Sequence, residues 1–263
     1  MASNIGTAVV TGASTGIGAL YAEGLAARGH DVILVARNAQ RLEATAQRIR
    51  DRHGVAVRSI AADLGDAAQL HALETELAAD PSITVLVNNA GMGAAGTLEQ
   101  TDPARLDAIV ALNVTALMRL TRALVPGMRA RGKGRVVNIA SVLAMAPEMV
   151  HGVYGATKAF VLAFSQSLRH EFAGSGLSVQ VLMPGATATE FWGSAGIDVG
   201  NVPREMVMTV NDLVAAALIA FDREEFAVLP ALQDAALWEN YEGARQALIP
   251  NLSTSRIAPR YAA

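Results

Sequence analysis

Two kinds of hydrophobic pattern alternate along the chain. Short, continuous runs of Val, Ile, Leu and Ala alternate with longer stretches in which apolar residues recur every three or four positions. The short runs are typical of strands that are buried on both faces, and the longer stretches predict amphipathic helices. The predicted strands span residues 5–11, 31–36, 55–61, 83–88, 135–140, 177–183 and 226–229. The predicted helices span residues 17–28, 39–52, 66–79, 103–131, 153–173, 211–221 and 231–247.

This regular alternation predicts a doubly wound α/β fold, with one Rossmann-like parallel sheet and helices on both of its faces. No linker, repeat or low-complexity segment interrupts the pattern, so we expect one domain over residues 1–263. The long helical segment 103–131 contains Pro126, which we expect to kink or end its last turns. Regularity fades after the sixth strand, and residues 186–210 are expected to form a substrate loop.

Composition narrows the possible functions. Hydrophobic residues make up 52% of the 263 positions and charged residues 17%, which supports a sizeable core. The net charge is −3 and no basic stripe is present, so we expect no nucleic-acid partner. The absence of cysteine excludes disulfides and thiol nucleophiles, and we assign no metal ligand. We see no signal peptide and no apolar run near the ~18 residues of a membrane span, so we expect a cytoplasmic protein with no membrane partner.

A glycine-rich loop joins the first predicted strand to the first predicted helix. Its spacing is Gly-x-x-x-Gly-x-Gly. Glycines permit a tight turn and close approach of a ligand, and the helix N-terminus presents free N–H groups to a pyrophosphate. An acid after the second strand would bind the 2′-hydroxyl of NAD, but Arg37 stands there and suits a 2′-phosphate, which favours NADP(H). The loop residues expected to hold the cofactor are Gly12, Ser14, Thr15, Gly16, Ile17 and Gly18.

Three polar residues have a spacing that indicates proton-transfer chemistry. Tyr154 and Lys158 are four residues apart at the start of a predicted helix, so they share one face. An ammonium beside a phenol favours the phenolate, and we expect the Tyr154 pKa to fall toward neutrality. Ser141 follows a predicted strand, where its hydroxyl can bond a substrate oxygen.

In order, these motifs resemble those of the short-chain dehydrogenases/reductases, in the branch of about this length, over residues ~5 to ~230. The resemblance implies that Tyr154 donates a proton to a carbonyl as hydride is transferred, while Ser141 positions that carbonyl. It also implies that Lys158 lowers the Tyr154 pKa and binds the ribose, and that Asn113 holds a water linking Lys158 to solvent. The further cofactor contacts that it implies, besides Tyr154 and Lys158, are Asp63, Leu64, Asn89, Ala90, Gly91, Pro184, Gly185, Thr187 and Thr189.

The loops near this site are mostly apolar, which favours a hydrophobic ketone, aldehyde or secondary alcohol as substrate. They are residues 93–96, 143–150 and 191–192. Two alternatives stay open. One is a reductase of 3-oxoacyl groups tethered to a carrier protein, which needs a basic docking patch such as Arg129, Arg131 and Arg169. The other is a nucleotide-sensing protein without catalysis.

The resemblance also implies a homo-oligomer, either a tetramer or a dimer. The predicted helices 103–131 and 153–173 are unusually apolar for helices with one face in water. Such faces can pair across a twofold axis, although each also has to pack on its own sheet.

Overall fold

A computed structural model of the chain describes residues 5–94, 96–149, 152–196, 200 and 202–261. Six residues of the predicted loops therefore lie outside the described residues: Ala95, Val150, residues 197–199 and Asn201. His151, next to Val150, lies outside them as well. The rest of the predicted site falls within the described part.

Parallel strands form one seven-stranded sheet, which confirms the predicted doubly wound sheet. The strands are β1 (Thr7–Thr11), β2 (Asp31–Ala36), β3 (Val57–Ala61), β4 (Ile83–Asn88), β5 (Gly134–Ile139), β6 (Leu177–Leu182) and β7 (Ala227–Val228). Their order across the sheet is β3-β2-β1-β4-β5-β6-β7. The order reverses between β1 and β4, and in folds of this kind ligands bind beyond the carboxyl ends of the strands at that point.

Helices cover both faces of the sheet. They are α1 (Gly16–Ala26), α2 (Ala39–His53), α3 (Ala67–Ala78), α4 (Pro103–Val110), α5 (Leu117–Ala130), α6 (Tyr154–Glu171), α7 (Phe191–Ala195) and α8 (Val210–Asp222). One core cluster contains Leu25 of α1 and Val214 of α8. A second contains Leu124 of α5 and Leu168 of α6. Each buried side chain of this size contributes about 1.5–3 kcal/mol, so the two layers fix the sheet and the ends of its strands.

The predicted long helix 103–131 is interrupted. A π-helical turn, Ala111–Ala116, separates α4 from α5. Pro126 lies inside α5, which continues to Ala130, so the helix does not end at Pro126, and a kink there stays a prediction. The helical stretch Pro103–Ala130 is also long and apolar enough to cross a membrane by length and composition, which corrects the expectation that no such run exists. Its buried residues pack in a core cluster against the sheet.

The chain divides into two compact units, Met1–Pro230 and Ala231–Ala263. The second unit contains helix α9 (Ala235–Leu248), in which no residue is buried. This helix begins four residues later than predicted because the Asp234 side chain caps it, accepting from the backbone N–H of Ala236 at 3.0 Å. One domain over the whole chain stays a prediction.

Candidate active site

The glycine loop between β1 and α1 has the backbone of a phosphate cradle. Gly12 and Gly16 have φ angles of +65° and +58°, in the left-handed region that favours glycine. A Cβ added to Gly18 would lie 2.4 Å from the Gly12 carbonyl oxygen, which is closer than real contacts allow. The Thr15 side chain makes no capping hydrogen bond, so the first N–H groups of α1 are open to an anion. The loop fits the pyrophosphate of a dinucleotide.

Asn89, just after β4, holds this loop in place. Its side-chain Nδ2 donates to the carbonyl oxygens of Thr11 and Gly12, at 2.9 and 3.2 Å. In return, the Thr11 Oγ1 accepts from the backbone N–H groups of Asn89 and Ala90, both at 3.0 Å. These bonds join the carboxyl ends of β1 and β4, so the floor of the crevice is rigid where the cofactor is expected.

The residues predicted for the adenosine side lie at the same edge of the sheet. Arg37 follows β2 and is exposed, and within the described part of the chain its guanidinium has no hydrogen bond or ion pair. Asp63 and Leu64 follow β3; Leu64 is buried, and an oxygen of Asp63 accepts from the Gly65 N–H at 2.9 Å. Arg37 is therefore open to a phosphate from solvent.

The predicted catalytic residues converge beyond the ends of β4 and β5. Tyr154 begins α6, and Lys158 follows one turn later. The buried Lys158 Nζ donates to the Ile139 carbonyl oxygen at 2.8 Å and lies 5.6 Å from the centroid of the Tyr154 ring. Burial lowers the pKa of Lys158 to about 8. Ser141, two residues past Ile139, hydrogen-bonds the Tyr154 hydroxyl.

The Tyr154 pKa differs from the sequence-based expectation. Burial raises it above the usual range for tyrosine, and the hydrogen bond with Ser141 opposes that rise. The expected lowering by Lys158 is wrong for this structure, because the ammonium bonds the Ile139 carbonyl rather than the phenol. Tyr154 therefore keeps its proton at neutral pH, as a donor to a substrate oxygen must.

Asn113 lies in the π-helical turn, and its side chain is fully engaged. The Oδ1 atom accepts from the Met92 N–H, and the Nδ2 group donates to the Met92 carbonyl oxygen, both at 2.9 Å. Nδ2 also donates to the Thr157 Oγ1 at 3.0 Å. A Cβ placed on Gly91 would lie 3.3 Å from the Asn113 Oδ1 and 3.6 Å from the Lys158 Nζ, so these residues meet. That Asn113 holds a water stays a prediction.

A segment after β6 lies over the crevice; we call residues 187–192 the strap. The methyl carbon of Thr189 is 3.6 Å from where a Cβ on Gly16 would lie. The Phe191 ring lies 5.5 Å from the Tyr154 ring, centroid to centroid. Just before the strap, the Pro184 carbonyl oxygen accepts from the Val142 N–H at 3.0 Å. The hydroxyl of the buried Thr187 donates to the Gly185 carbonyl oxygen at 3.0 Å. The strap thus reaches both the glycine loop and the catalytic tyrosine.

Two residues of the site, Thr157 and Met92, were not predicted from the sequence. The Thr157 Oγ1 accepts a hydrogen bond from the Asn113 side-chain amide and donates its own proton to the Tyr154 carbonyl oxygen at 2.7 Å. The main-chain N–H and carbonyl groups of Met92 make the remaining hydrogen bonds to that amide. Thr157 lies between Tyr154 and Lys158 in the chain, but only the packing of α6 against the π-helical turn shows its partner.

We predict that Ser141→Ala lowers kcat for reduction by about tenfold, because it removes one hydrogen bond worth about 1.4 kcal/mol. The proton donor Tyr154 stays in place. Steady-state kinetics with saturating cofactor measure the change. A loss equal to or larger than that of a Tyr154→Phe variant would show that Ser141 does more than position and polarise the carbonyl.

Comparison with proteins of known structure gives matches over nearly the whole chain. A short-chain dehydrogenase from Sphingobium yanoikuyae in complex with NADPH is 48% identical, with a TM-score of 0.94 over 98% of this chain and 100% of that one. A bulky-bulky ketone specific alcohol dehydrogenase from Comamonas testosteroni is 42% identical, with a TM-score of 0.91 over 99% of this chain and 100% of that one.

Relatives known from sequence match a shorter stretch. A very-long-chain 3-oxoacyl-CoA reductase from Anas platyrhynchos is 36% identical over 191 residues, which are 70% of this chain and 60% of that protein. A 17-beta-hydroxysteroid dehydrogenase type 3 from Homo sapiens is 35% identical over 184 residues, 69% of this chain and 59% of that protein. The chain thus spans about three fifths of these relatives. The short chain dehydrogenase family model matches residues 6–199, and the chain belongs to the short-chain dehydrogenase/reductase family of oxidoreductases.

Proposed function

We propose that this protein is an NADPH-dependent reductase of hydrophobic, bulky ketones. The observation that carries the proposal is the site itself: Ser141, protonated Tyr154 and buried Lys158 converge beside a glycine loop shaped for a dinucleotide. The similar enzyme from Comamonas testosteroni is specific for bulky-bulky ketones, which supports the same substrate class here.

The cofactor assignment rests on Arg37 and the glycine loop. No acid follows β2, and the exposed guanidinium of Arg37 suits a 2′-phosphate. The similar Sphingobium enzyme is in complex with NADPH, which supports the same choice. Bound in the crevice, NADPH supplies the hydride.

The side chains of the chain supply the proton and the orientation. The Ser141 hydroxyl holds the carbonyl oxygen beside the phenol, and Tyr154 passes its proton to that oxygen as negative charge develops there. The hydrogen bond with Ser141, which opposes the rise in the Tyr154 pKa, stabilises the phenolate that remains. Burial keeps Tyr154 protonated at neutral pH, which is the form that a proton donor in ketone reduction needs.

We predict that Arg37→Asp weakens NADPH binding and leaves NADH binding equal or better, because a carboxylate repels the 2′-phosphate and accepts from a 2′-hydroxyl. The ratio of kcat/KM for NADPH and NADH, measured before and after the substitution, checks this. Equal kcat/KM values for the two cofactors in the unsubstituted protein would refute the assignment of Arg37.

A panel of free carbonyl compounds tests the substrate class. The panel runs from diaryl ketones and cyclic ketones to sugars and 2-oxo acids, and the loss of reduced nicotinamide is followed by absorbance. We expect the highest kcat/KM with bulky apolar ketones. Turnover confined to sugars or charged acids would contradict the proposal, and no turnover with any carbonyl would favour the nucleotide-sensing alternative.

The acyl-reductase alternative has support from the very-long-chain 3-oxoacyl-CoA reductases among the relatives. The arginines considered for carrier docking do not favour it. Arg169 lies near the C-terminal end of α6, fifteen residues from Tyr154, or roughly 22 Å along a helix. Arg129 pairs with Glu171 at 2.9 Å, and Arg131 donates to the Ile83 carbonyl oxygen at 2.6 Å, at the amino end of β4. A 3-oxoacyl-CoA in the substrate panel distinguishes the two functions.

We also propose a homo-oligomer, a tetramer or a dimer, in the cytoplasm. Val110 of α4 and Met118 of α5 are large apolar residues that are 40% exposed. On α6, the stacked rings of Phe160 and Phe164 are only partly buried. Covering these faces with a second copy removes apolar surface from water. Light scattering coupled to size exclusion checks this, and a mass near the 27.4 kDa of one chain would contradict it.

A further inference from the structure

An ion pair joins the two ends of the crevice. The Arg41 Nη1 and a carboxylate oxygen of Glu190 are 2.6 Å apart. Arg41 lies in the first turn of α2, four residues after Arg37, at the end of the crevice expected to hold the 2′-phosphate. Glu190 belongs to the strap and is followed by Phe191, whose ring lies against Tyr154. The phosphate end and the catalytic end are therefore connected through one contact.

A hydrogen bond links the two ends of the strap. The Trp192 Nε1 donates to the Thr187 carbonyl oxygen at 2.7 Å, which closes the segment on itself. Between them, Thr189 lies over Gly16 of the glycine loop. We expect a shift at Glu190 to reach its neighbour Phe191 and the Thr189 side chain above the phosphate cradle.

The pair is weak enough to be exchanged. The side chains of Arg41 and Glu190 are 54% and 67% exposed, and ion pairs between such groups contribute little. A phosphate dianion makes stronger, bidentate hydrogen bonds with a guanidinium than an exposed carboxylate does. A phosphate that arrives at Arg37 meets a second guanidinium one turn away, whose partner among the described residues is Glu190.

We propose that Arg41 is a second residue of the 2′-phosphate site and that Glu190 competes with the phosphate for it. When a 2′-phosphate takes Arg41, the strap is released from α2, and Phe191 can leave Tyr154 to admit a ketone. Because Glu190 is displaced by the 2′-phosphate, the substrate site opens when NADP(H) binds and not when NAD(H) binds. This inference rests on the NADP(H) preference proposed above.

Calorimetric titration with two cofactor fragments tests the competition. Adenosine 2′,5′-bisphosphate carries the phosphate in question, and adenosine 5′-monophosphate lacks it. We expect Glu190→Gln to tighten binding of the bisphosphate roughly two- to fivefold, and Arg41→Gln to weaken it by at least as much. Neither substitution should change binding of the monophosphate.

The matched control is Glu43→Gln. Glu43 lies on α2 two residues from Arg41 and pairs with Arg50 at 2.7 Å, so its substitution also removes one negative charge without touching the strap. We expect unchanged affinity for the bisphosphate. If Glu43→Gln tightens binding as much as Glu190→Gln does, the effect is one of net charge and the competition is refuted.

Fluorescence reports the strap directly. Trp192 and Trp238 are the two tryptophans of the chain, so Trp238→Phe leaves Trp192 as the sole indole reporter. We expect the bisphosphate, and not the monophosphate, to change Trp192 emission, and Glu190→Gln to abolish that change.

The outcomes separate the two levels of the proposal. Equal affinity of the unsubstituted protein and Glu190→Gln for the bisphosphate, with constant emission, overturns the competition at Glu190 and leaves the role of Arg37 standing if Arg37→Asp still weakens binding. If the unsubstituted protein binds the bisphosphate no more tightly than the monophosphate, the NADP(H) preference fails, and the competition fails with it.

Discussion

Tyr154→Phe should lower kcat for ketone reduction by about 10²-fold or more, the range that general acid catalysis supplies. The substitution removes only the hydroxyl that donates the proton. The ring and its contact with Phe191, 5.5 Å between centroids, remain. The dissociation constant of NADPH should therefore stay nearly unchanged. Single-turnover kinetics and calorimetric titration measure the two quantities separately.

Tyr241→Phe is the matched control. Tyr241 is a 44% exposed tyrosine in the C-terminal unit, and its substitution removes the same hydroxyl from a residue outside the predicted site. Retention of more than about a tenth of the activity by Tyr154→Phe would refute the general-acid role. A comparable loss in Tyr241→Phe would show that the assay reports stability and not chemistry.

Lys158→Met should abolish activity to a similar extent and yet change stability in a way that depends on pH. Burial lowers the folded-state pKa of Lys158 to about 8, from 10.5 for an ordinary lysine. Between these values the unfolded chain binds more protons than the folded one, so the free energy of unfolding rises with pH across that window. Below pH 8 the folded protein bears the full cost of the buried charge, on the order of 3 kcal/mol. Substitution by methionine removes both the cost of the buried charge and the rise of the unfolding free energy with pH.

The composition makes this test specific. Lys133 and Lys158 are the only lysines and the chain has no cysteine, so the other side chains that ordinarily titrate near pH 10 are the four tyrosines, which both lysine variants retain. Lys133→Met is the control: Lys133 also donates to a backbone carbonyl, that of Ile5 at 3.3 Å, but it is exposed. The free energy of unfolding, measured with urea across this pH range, should no longer rise with pH in Lys158→Met and should still rise in Lys133→Met. A retained slope in Lys158→Met would mean that the buried ammonium is not its source.

The parts of the site that the sequence predicted are those set by short-range spacing. The glycine loop, the four-residue step from Tyr154 to Lys158, and Arg37 after a strand each depend on a few neighbouring residues. A parallel sheet then brings the ends of its strands to one edge, so these local features meet there without further information.

The parts that escaped prediction depend on partners far apart in the chain. Arg41 and Glu190 are 149 positions apart, and the bond between Asn89 and Thr11 spans 78. The direction of the Tyr154 pKa shift was misjudged for the same reason. Spacing places Lys158 near the phenol, whereas burial and the Ile139 carbonyl determine which form is favoured.

The π-helical turn was missed for a related reason. The hydrophobic periodicity of residues 103–131 predicts one continuous helix. The helix is instead interrupted by the π-helical turn, where the Asn113 side chain hydrogen-bonds Met92 and Thr157, and no local sequence pattern marks this interruption.

Transfer of deuterium from NADPH labelled at both C4 hydrogens of the nicotinamide is the sharpest test of the proposed ketone reduction. The unsubstituted protein is given labelled NADPH and a bulky apolar ketone, and the product is analysed by mass spectrometry and NMR. Hydride transfer from NADPH predicts an alcohol that carries one deuterium on the former carbonyl carbon, and almost none of that product with Tyr154→Phe. An alcohol without deuterium at that carbon, or an unchanged ketone, would contradict the proposed reaction.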